Sequence, residues 1–244
     1  MRIAVFSDVH SNEEALRAFI EHSMTRKINH YVCLGDIVGY GASPNTCIGL
    51  LKAMPGVHFV LGNHDTAAVG GHHNMCRVAA RSLSWTRKRL SQNSVVFLKN
   101  MKERIQKDKV LFCHANPCGV SDWYYISGKS CISRTFFLTR AKILFAGHTH
   151  KAAFITRKNF FCVYMNTPEN RAVVPVAETN RQIFNCGSIG QPRDGDPRAS
   201  YLIYDTCRKV VEFYRVGYDY QLAAQKIKAA GLPDKLWSRL EKGI

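Results

Sequence analysis

Short apolar runs recur through the first 150 residues, each closed by a few polar residues of the same types. Arg2–Ser7, His30–Leu34, Val57–Leu61, Lys109–Cys113 and Ala141–Ala146 have the length and composition of buried strands. Between them the period lengthens to that of helices. Ser11 is placed to cap a helix over Asn12–Met24, with Glu13 and Glu14 near its positive end and Leu16, Phe19 and Ile20 along one stripe. Ser43 and Pro44 open a second helix through Asn45–Ala53, which Pro55 and Gly56 end. Met75–Leu90 and Ser94–Met101 predict further helical turns. Strand, helix and strand in this order predict β-α-β crossovers and a parallel sheet.

After His150 the period falls towards two. Ala153–Thr156, Phe160–Met165, Ala172–Val176, Gln182–Asn185, Ser200–Asp205 and Lys209–Tyr214 read as the strands of a second, more antiparallel sheet. Tyr220–Ala230, a break at Gly231-Leu232-Pro233 and a last helical stretch from Asp234 complete the chain. With no repeat, low-complexity stretch or linker, residues 1–244 are expected to form one domain.

The residues that close the early runs carry the chemistry. They are Asp8-Val9-His10, Gly35-Asp36, Gly62-Asn63-His64-Asp65, His114 and Gly147-His148-Thr149-His150. Loops beyond the carboxyl ends of parallel strands can meet although they are distant in sequence. Taken singly, an Asp in a turn is usually a cap, and a lone His is usually an ordinary polar residue. Five such endings together point to one composite metal site, whose oxygen, amide and imidazole donors suit Mn, Fe, Zn or a related divalent ion. Gly35, Gly62 and Gly147 each precede a candidate ligand where a sharp turn is expected.

Composition narrows the class. Hydrophobic residues make up 46% and charged residues 21%, as in ordinary globular proteins. No apolar stretch nears the roughly 20 residues that span a bilayer. The sequence reaches Asp8 without room for a signal peptide, so a cytoplasmic protein with no membrane association is expected. Nine cysteines without a C-x-x-C pair predict buried reduced thiols rather than a disulfide framework. Alternation along the strand should turn Cys113 away from the site that His114 faces. The net charge of +16 is partly concentrated in Arg77–Lys109, where ten Lys and Arg stand against Glu103 and Asp108. Such a stretch is either a polyanion-binding face or, the reading favoured here, a solvated helical surface, since no nucleic-acid module accompanies it.

In their order and spacing, D-V-H at Asp8–His10, G-D at Gly35–Asp36, G-N-H-D at Gly62–Asp65, His114 and G-H-T-H at Gly147–His150 resemble the calcineurin-like metallophosphoesterases, in particular their compact prokaryotic phosphodiesterase branch. The resemblance covers nearly the whole chain. The run from Asn185 to Arg198 is similar to a late loop of a bacterial and archaeal branch. The fold so implied is a four-layer α/β/β/α sandwich of two mixed sheets flanked by helices.

The implied activity is that of a dinuclear phosphoesterase, hydrolysing a phosphodiester with a metal-activated water or hydroxide. A phosphomonoesterase or protein phosphatase, or a basic nucleic-acid-binding protein with a vestigial site, stands as the alternative. The expected cofactors are two divalent ions, manganese first and iron, zinc, nickel or magnesium otherwise. Asp36 would bridge them through two free carboxylate oxygens, with Asp8, His10 and His150 completing one site and Asn63, His114 and His148 the other. His64 would be the catalytic cation at the phosphoryl group, and Asp65 a neighbour supporting the ligands. The partner would be a phosphate-ester substrate, with nucleotides and oligonucleotides as candidates; the oligomeric state is left open.

Two departures bear on substrate. Relatives acting as protein phosphatases or dinucleoside tetraphosphatases carry G-D-x-V-D-R-G and G-N-H-E, whereas this chain has Gly35-Asp36-Ile37-Val38-Gly39-Tyr40-Gly41 and Asp65. The phosphate-gripping arginine of that pattern is missing. Arg193, and less so Arg198, could substitute for it, unless either pairs with Asp194 or Asp196 in its own loop. His72 and His73 follow Gly70-Gly71 and are expected to be exposed loop residues.

Overall fold

Ile3 and Val5 face one side of their strand and Ala4 and Phe6 the other, yet all four are buried. A strand covered on both faces accounts for an apolar run that does not alternate. The computed structural model describes residues 1–71, 75–157, 163–177 and 179–244, so His72 and His73 lie outside the described residues.

The first half runs β1 (Arg2–Phe6), α1 (Glu13–Met24), β2 (His30–Cys33), α2 (Pro44–Ala53), β3 (Val57–Phe59), α3 (Asn63–Ala68), α4 (Arg77–Arg87), α5 (Gln92–Lys99), β4 (Arg104–Lys107) and β5 (Val110–Cys113). It continues through α6 (Gly128–Leu138), β6 (Ile143–Ala146), β7 (Ala152–Arg157), β8 (Val163–Asn166), β9 (Val173–Pro175), β10 (Arg181–Cys186), β11 (Ala199–Asp205) and β12 (Val210–Val216). Two helices, α7 (Tyr220–Ala229) and α8 (Asp234–Ser238), end the chain.

The strands form two six-stranded mixed sheets, in the orders β3-β2-β1-β11-β12-β9 and β4-β5-β6-β10-β7-β8. Parallel pairing joins β1, β2 and β3 in one sheet and β5, β6 and β10 in the other. The late strands therefore do not build a second sheet of their own. β9, β11 and β12 extend the first sheet antiparallel, while β7 and β8 extend the sheet that β5 and β6 begin.

Alternation assigns the faces. Val5, Val32, Leu202 and Phe213 of one sheet meet Phe112, Phe145 and Phe184 of the other in the central core. Ala4, Phe6 and Tyr201 turn outward to Leu16, Phe19, Ile48 and Leu51 on α1 and α2. Leu111, Cys113 and Leu144 turn to Ile132 and Phe136 on α6. These are the four expected layers, helices, sheet, sheet and helices. Cys113 lies on the helix side as anticipated, and burial pushes its thiol up to about 12. No disulfide occurs among the described cysteines.

Local differences from the sequence reading have local causes. Asn12, not Ser11, caps α1: Asn12 has extended backbone and accepts from the Ala15 amide at 3.1 Å, whereas Ser11 is left-handed with φ 55°. Asn63–Ala68 is a short helix rather than a loop, and β4 is an edge strand too polar to read as one. No helix among the described residues is long and apolar enough to cross a membrane. In the basic stretch, Arg87 donates to the Ala67 carbonyl and Arg89 lies 3.9 Å from the Trp85 ring centroid, so two of its cations are held by the fold itself.

Candidate metal centre

The carboxyl ends of β1, β2, β5 and β6 open onto one edge of the sandwich, where the backbone turns abruptly. Asp8, His10, Asp36, His148 and His150 all have φ between 48° and 65°, in the left-handed region that side chains rarely adopt. Such residues cost about 1–3 kcal/mol each and persist where the surroundings fix them, typically at functional sites. Of the three glycines expected to relieve sharp turns, only Gly35 has a positive φ, at 102°. Gly62 and Gly147 are small for another reason: a Cβ would stand 2.2 Å from Asp36 Oδ1 and 2.2 Å from Ser7 Oγ respectively.

All seven expected ligands converge. Asp8, His10 and His150 form one group of donor atoms, and Asp36, His114 and His148 form another, each within 4.8 Å. His114 Nε2 lies 3.1 Å from Asn63 Oδ1 and 3.1 Å from His148 Nδ1, adding Asn63 to the second group. Asp36 stands between them, with Oδ2 3.6 Å from His10 Nε2 and 3.4 Å from His114 Nε2. Its Oδ1 accepts the His64 amide at 2.8 Å. One oxygen of Asp36 thus faces both groups, where the sequence reading supposed two to be free.

The outer ring nitrogens fix the tautomers. His10 Nδ1, His114 Nδ1, His148 Nε2 and His150 Nδ1 lie 3.2, 2.9, 2.9 and 2.6 Å from the carbonyls of Val38, Leu34, Trp123 and Gln191. A carbonyl can only accept, so each of these nitrogens carries the proton, and the opposite nitrogen of a neutral ring presents a lone pair inward. His10 Nε2 and His150 Nε2 then face each other at 3.1 Å, and Asp8 Oδ1 is buried among them with no hydrogen-bond partner. Lone pairs and carboxylate oxygens so packed fit divalent cations.

Electrostatics agree. Burial, with the neighbouring rings, lowers His10 well below the ordinary range and His148 to about 3, so both are neutral donors at pH 7. Burial would raise the two carboxyls, yet His150 beside Asp8 and His114 beside Asp36 bring both below the usual range. Burial would lower His114 too, but the Asp36 charge and hydrogen bond raise it to about 9.

His64 sits at the start of α3 with its ring buried, 4.8 Å from the His10 ring and 4.4 Å from that of Tyr40. Its Nδ1 has no partner, and burial above all lowers it to about 4. A Cβ on Gly39 would come within 2.3 Å of that nitrogen, so the glycine in the motif leaves room for the ring. His64 also forms a third close group with His10 and Asp36.

Asp65 takes its hydrogen bonds from backbone amides rather than from candidate ligand side chains. Its Oδ1 accepts from the amides of Ile37 at 2.9 Å and Val38 at 3.2 Å, and its Oδ2 from Gly62 at 3.1 Å, tying the turn after β2 to the start of α3. Burial and then Asp36 raise it to about 7, against the amides of Val38 and Gly62. An amide at this position must turn its NH₂ towards at least one buried N–H. Asp65→Asn is expected to lose about 1–3 kcal/mol of stability in denaturant unfolding; a stability equal to the parent would remove this role.

Arg193 and Arg198 separate clearly. Arg198 pairs with Asp196 in its own loop at 2.6 Å. Arg193 lines the open cavity of about 520 Å³ beside the donor groups, together with Tyr40, His64, Tyr125 and His148, and its guanidinium lies 5.6 Å from the Tyr40 ring centroid. Sequence reasoning missed several contributors. Trp123 and Gln191 act through backbone carbonyls, and Tyr125 stacks on His148 at 4.3 Å and 13°. Asn185 Nδ2 donates to the Gly147 carbonyl and Ser188 Oγ to that of Asp8, so the 185–198 loop buttresses the ligand turns.

Comparisons with known proteins agree with this geometry. Residues 1–209 match the model of the calcineurin-like phosphoesterase superfamily domain. An uncharacterized protein of Methanocaldococcus jannaschii is 34% identical over 99% of this chain and 98% of its own length. Among solved structures, a metallophosphoesterase from Sphaerobacter thermophilus superposes with a TM-score of 0.89 at 34% identity, covering 100% of this chain and 99% of that one. A hypothetical protein from Pyrococcus horikoshii OT3 shares the fold, with a TM-score of 0.81 at 18% identity over 100% of this chain and 98% of its own. A match over most of the chain, joined to a close relative along its full length, settles the family: this protein belongs to the calcineurin-like phosphoesterase superfamily.

Proposed function

We propose that the protein is a dinuclear metal-dependent phosphodiesterase. The observation that carries the reading is the pair of donor groups meeting at Asp36 Oδ2, with the inward-facing ring nitrogens set by outward hydrogen bonds to carbonyls. Asp8, His10 and His150 would hold one ion, Asn63, His114 and His148 the other, and Asp36 both. When bound, two such ions supply charge neutralisation of the phosphate and a nucleophile at neutral pH. Manganese is the first candidate, with iron, zinc, nickel or magnesium as alternatives.

The chain's own residues bind and orient the ester. Tyr40 occupies the place that arginine holds in the G-D-x-V-D-R-G pattern, and Arg193 packs over its ring. A guanidinium brought from the late loop to that place is suited to the phosphoryl oxygens. His64, neutral in the free site, can take up a proton only as negative charge gathers beside it. At that stage its Nδ1 can donate to the phosphoryl or leaving oxygen. The deciding experiment measures turnover of diesters, monoesters, cyclic nucleotides and short oligonucleotides with each metal. Absence of metal-dependent hydrolysis of every ester would overturn the proposal, and a preference for monoesters would overturn its diester part.

Metal loading should also release protons. His114 must be neutral to present Nε2, but with its value raised to about 9 it carries a proton at pH 7. Binding at pH 7 therefore displaces that proton. The affinity contributed by this group should rise about tenfold per pH unit towards 9 and level off above it. Calorimetric titration in two buffers of different ionisation enthalpy reads the proton directly; no release at pH 7 would contradict the assignment.

A further inference from the structure

The C-terminal helices lie beyond the residues that the family model matches, which end at 209, yet they pack against Tyr40 and Ala79, two residues that line the cavity. Leu236 and Leu240 share a buried cluster with Tyr40 and Ala79, and the Gly195 amide donates to the Gly243 carbonyl at 2.9 Å, pinning the chain's end to the loop that carries Arg193. This packing brings Arg239 beside Arg193. Both guanidiniums donate to one oxygen, Gln191 Oε1, from Arg193 Nη2 at 2.7 Å and Arg239 Nη1 at 3.2 Å. The Gln191 carbonyl meanwhile accepts from His150 Nδ1, so a single residue orients a candidate ligand and both cations.

Two cations around a neutral amide are unfavourable unless an anion joins them. The carboxylates of the same loop do not supply it, because Asp194 pairs with Arg215 and Asp196 with Arg198. Among the described residues, no acidic side chain pairs with Arg193 or Arg239. The Nε of each is buried without a hydrogen-bond partner. Burial and the charge of Arg193 lower the pKa of Arg239, which is the cost of holding the pair together. Two adjacent guanidiniums, each with one buried donor left without a partner, match an oxyanion.

We infer that Arg193 and Arg239 form a two-arginine subsite for a phosphoryl oxyanion of the substrate, with Arg239 supplied by the C-terminal segment. The inference rests on the phosphoesterase reading for the chemical identity of the anion. It makes Arg239 a determinant of substrate binding that the family motifs do not contain.

The test titrates inorganic phosphate into the metal-loaded protein by calorimetry, for the parent, Arg239→Gln, Arg239→Lys and Arg193→Gln. Each Gln variant should bind phosphate about 10- to 100-fold more weakly at unchanged metal content, and Arg239→Lys should recover part of the loss. Phosphate binding by Arg239→Gln within twofold of the parent would overturn the subsite. So would an Arg239→Lys protein no better than Arg239→Gln. Melting temperatures guard against a merely structural effect. Without phosphate, Arg239→Gln should melt no lower than the parent, because a like charge has been removed; with phosphate, only the parent should gain. An equal deficit in both buffers would overturn the inference. If the parent hydrolyses no ester yet binds phosphate through both arginines, the phosphoesterase reading falls and the subsite stands. Normal hydrolysis with phosphate binding indifferent to Arg239 gives the reverse.

Discussion

Asp36→Ala should remove more metal and more activity than loss of any other single candidate ligand. Asp36 Oδ2 faces both donor groups, at 3.6 Å from His10 Nε2 and 3.4 Å from His114 Nε2. Removing it weakens both sites, while removing Asn63 or His150 leaves one of them whole. Replacing residues that merely orient metal ligands costs about 10- to 100-fold in affinity or activity, so loss of a shared ligand should exceed about 100-fold in kcat/KM. The alanine also takes away the acceptor of the His64 amide. Asp36→Asn separates the two effects, since an amide oxygen can still accept that N–H while the charge is gone. Metal analysis of both variants beside His150→Ala decides the matter, and unchanged metal stoichiometry in Asp36→Ala would sink the central role of Asp36.

The place of Asp36 was legible because a candidate metal centre of this kind is written in side chains. Asp8, His10, Asp36, His114, His148 and His150 each follow a strand-like run, and parallel β1–β2–β3 and β5–β6–β10 pairings bring those ends to one edge. Alternation likewise announced which way Cys113 points. What the sequence left hidden is carried by backbone atoms or by long-range pairing. The carbonyls of Val38, Leu34, Trp123 and Gln191 orient the histidines, and a carbonyl leaves no mark on residue type. A two-residue period fixes the face of a strand but not its neighbour, so nothing local tells that Ala199–Asp205 pairs with β1 while Arg181–Cys186 pairs with β6. Arg239 is 46 residues beyond Arg193 in sequence, and only the packing of Leu236 and Leu240 near Tyr40 brings the two to the same amide.

His64→Ala should separate binding of metal from chemistry. The His64 backbone amide, which survives the substitution, is what holds Asp36 Oδ1, so the donor groups should keep their places. The ring, by contrast, offers a buried Nδ1 without a partner and packs beside His10 and Tyr40 at the cavity wall. Burial first, and then the nearby His150 and His114, lower it to about 4, so no cation is present before the substrate arrives. A phosphoryl group in the cavity reverses that balance, because its charge favours the protonated ring, and donation from Nδ1 then strengthens as charge moves onto the leaving oxygen. An interaction that grows in the transition state lowers kcat when it is deleted and leaves ground-state binding nearly as it was. The expected loss is about 10²–10⁴ in kcat with metal content unchanged. One rival is built into the geometry, since His64 also lies within ligand distance of His10 and Asp36. Loss of an ion in His64→Ala would make His64 a ligand, whereas full metal content with near-normal turnover would remove it from the reaction.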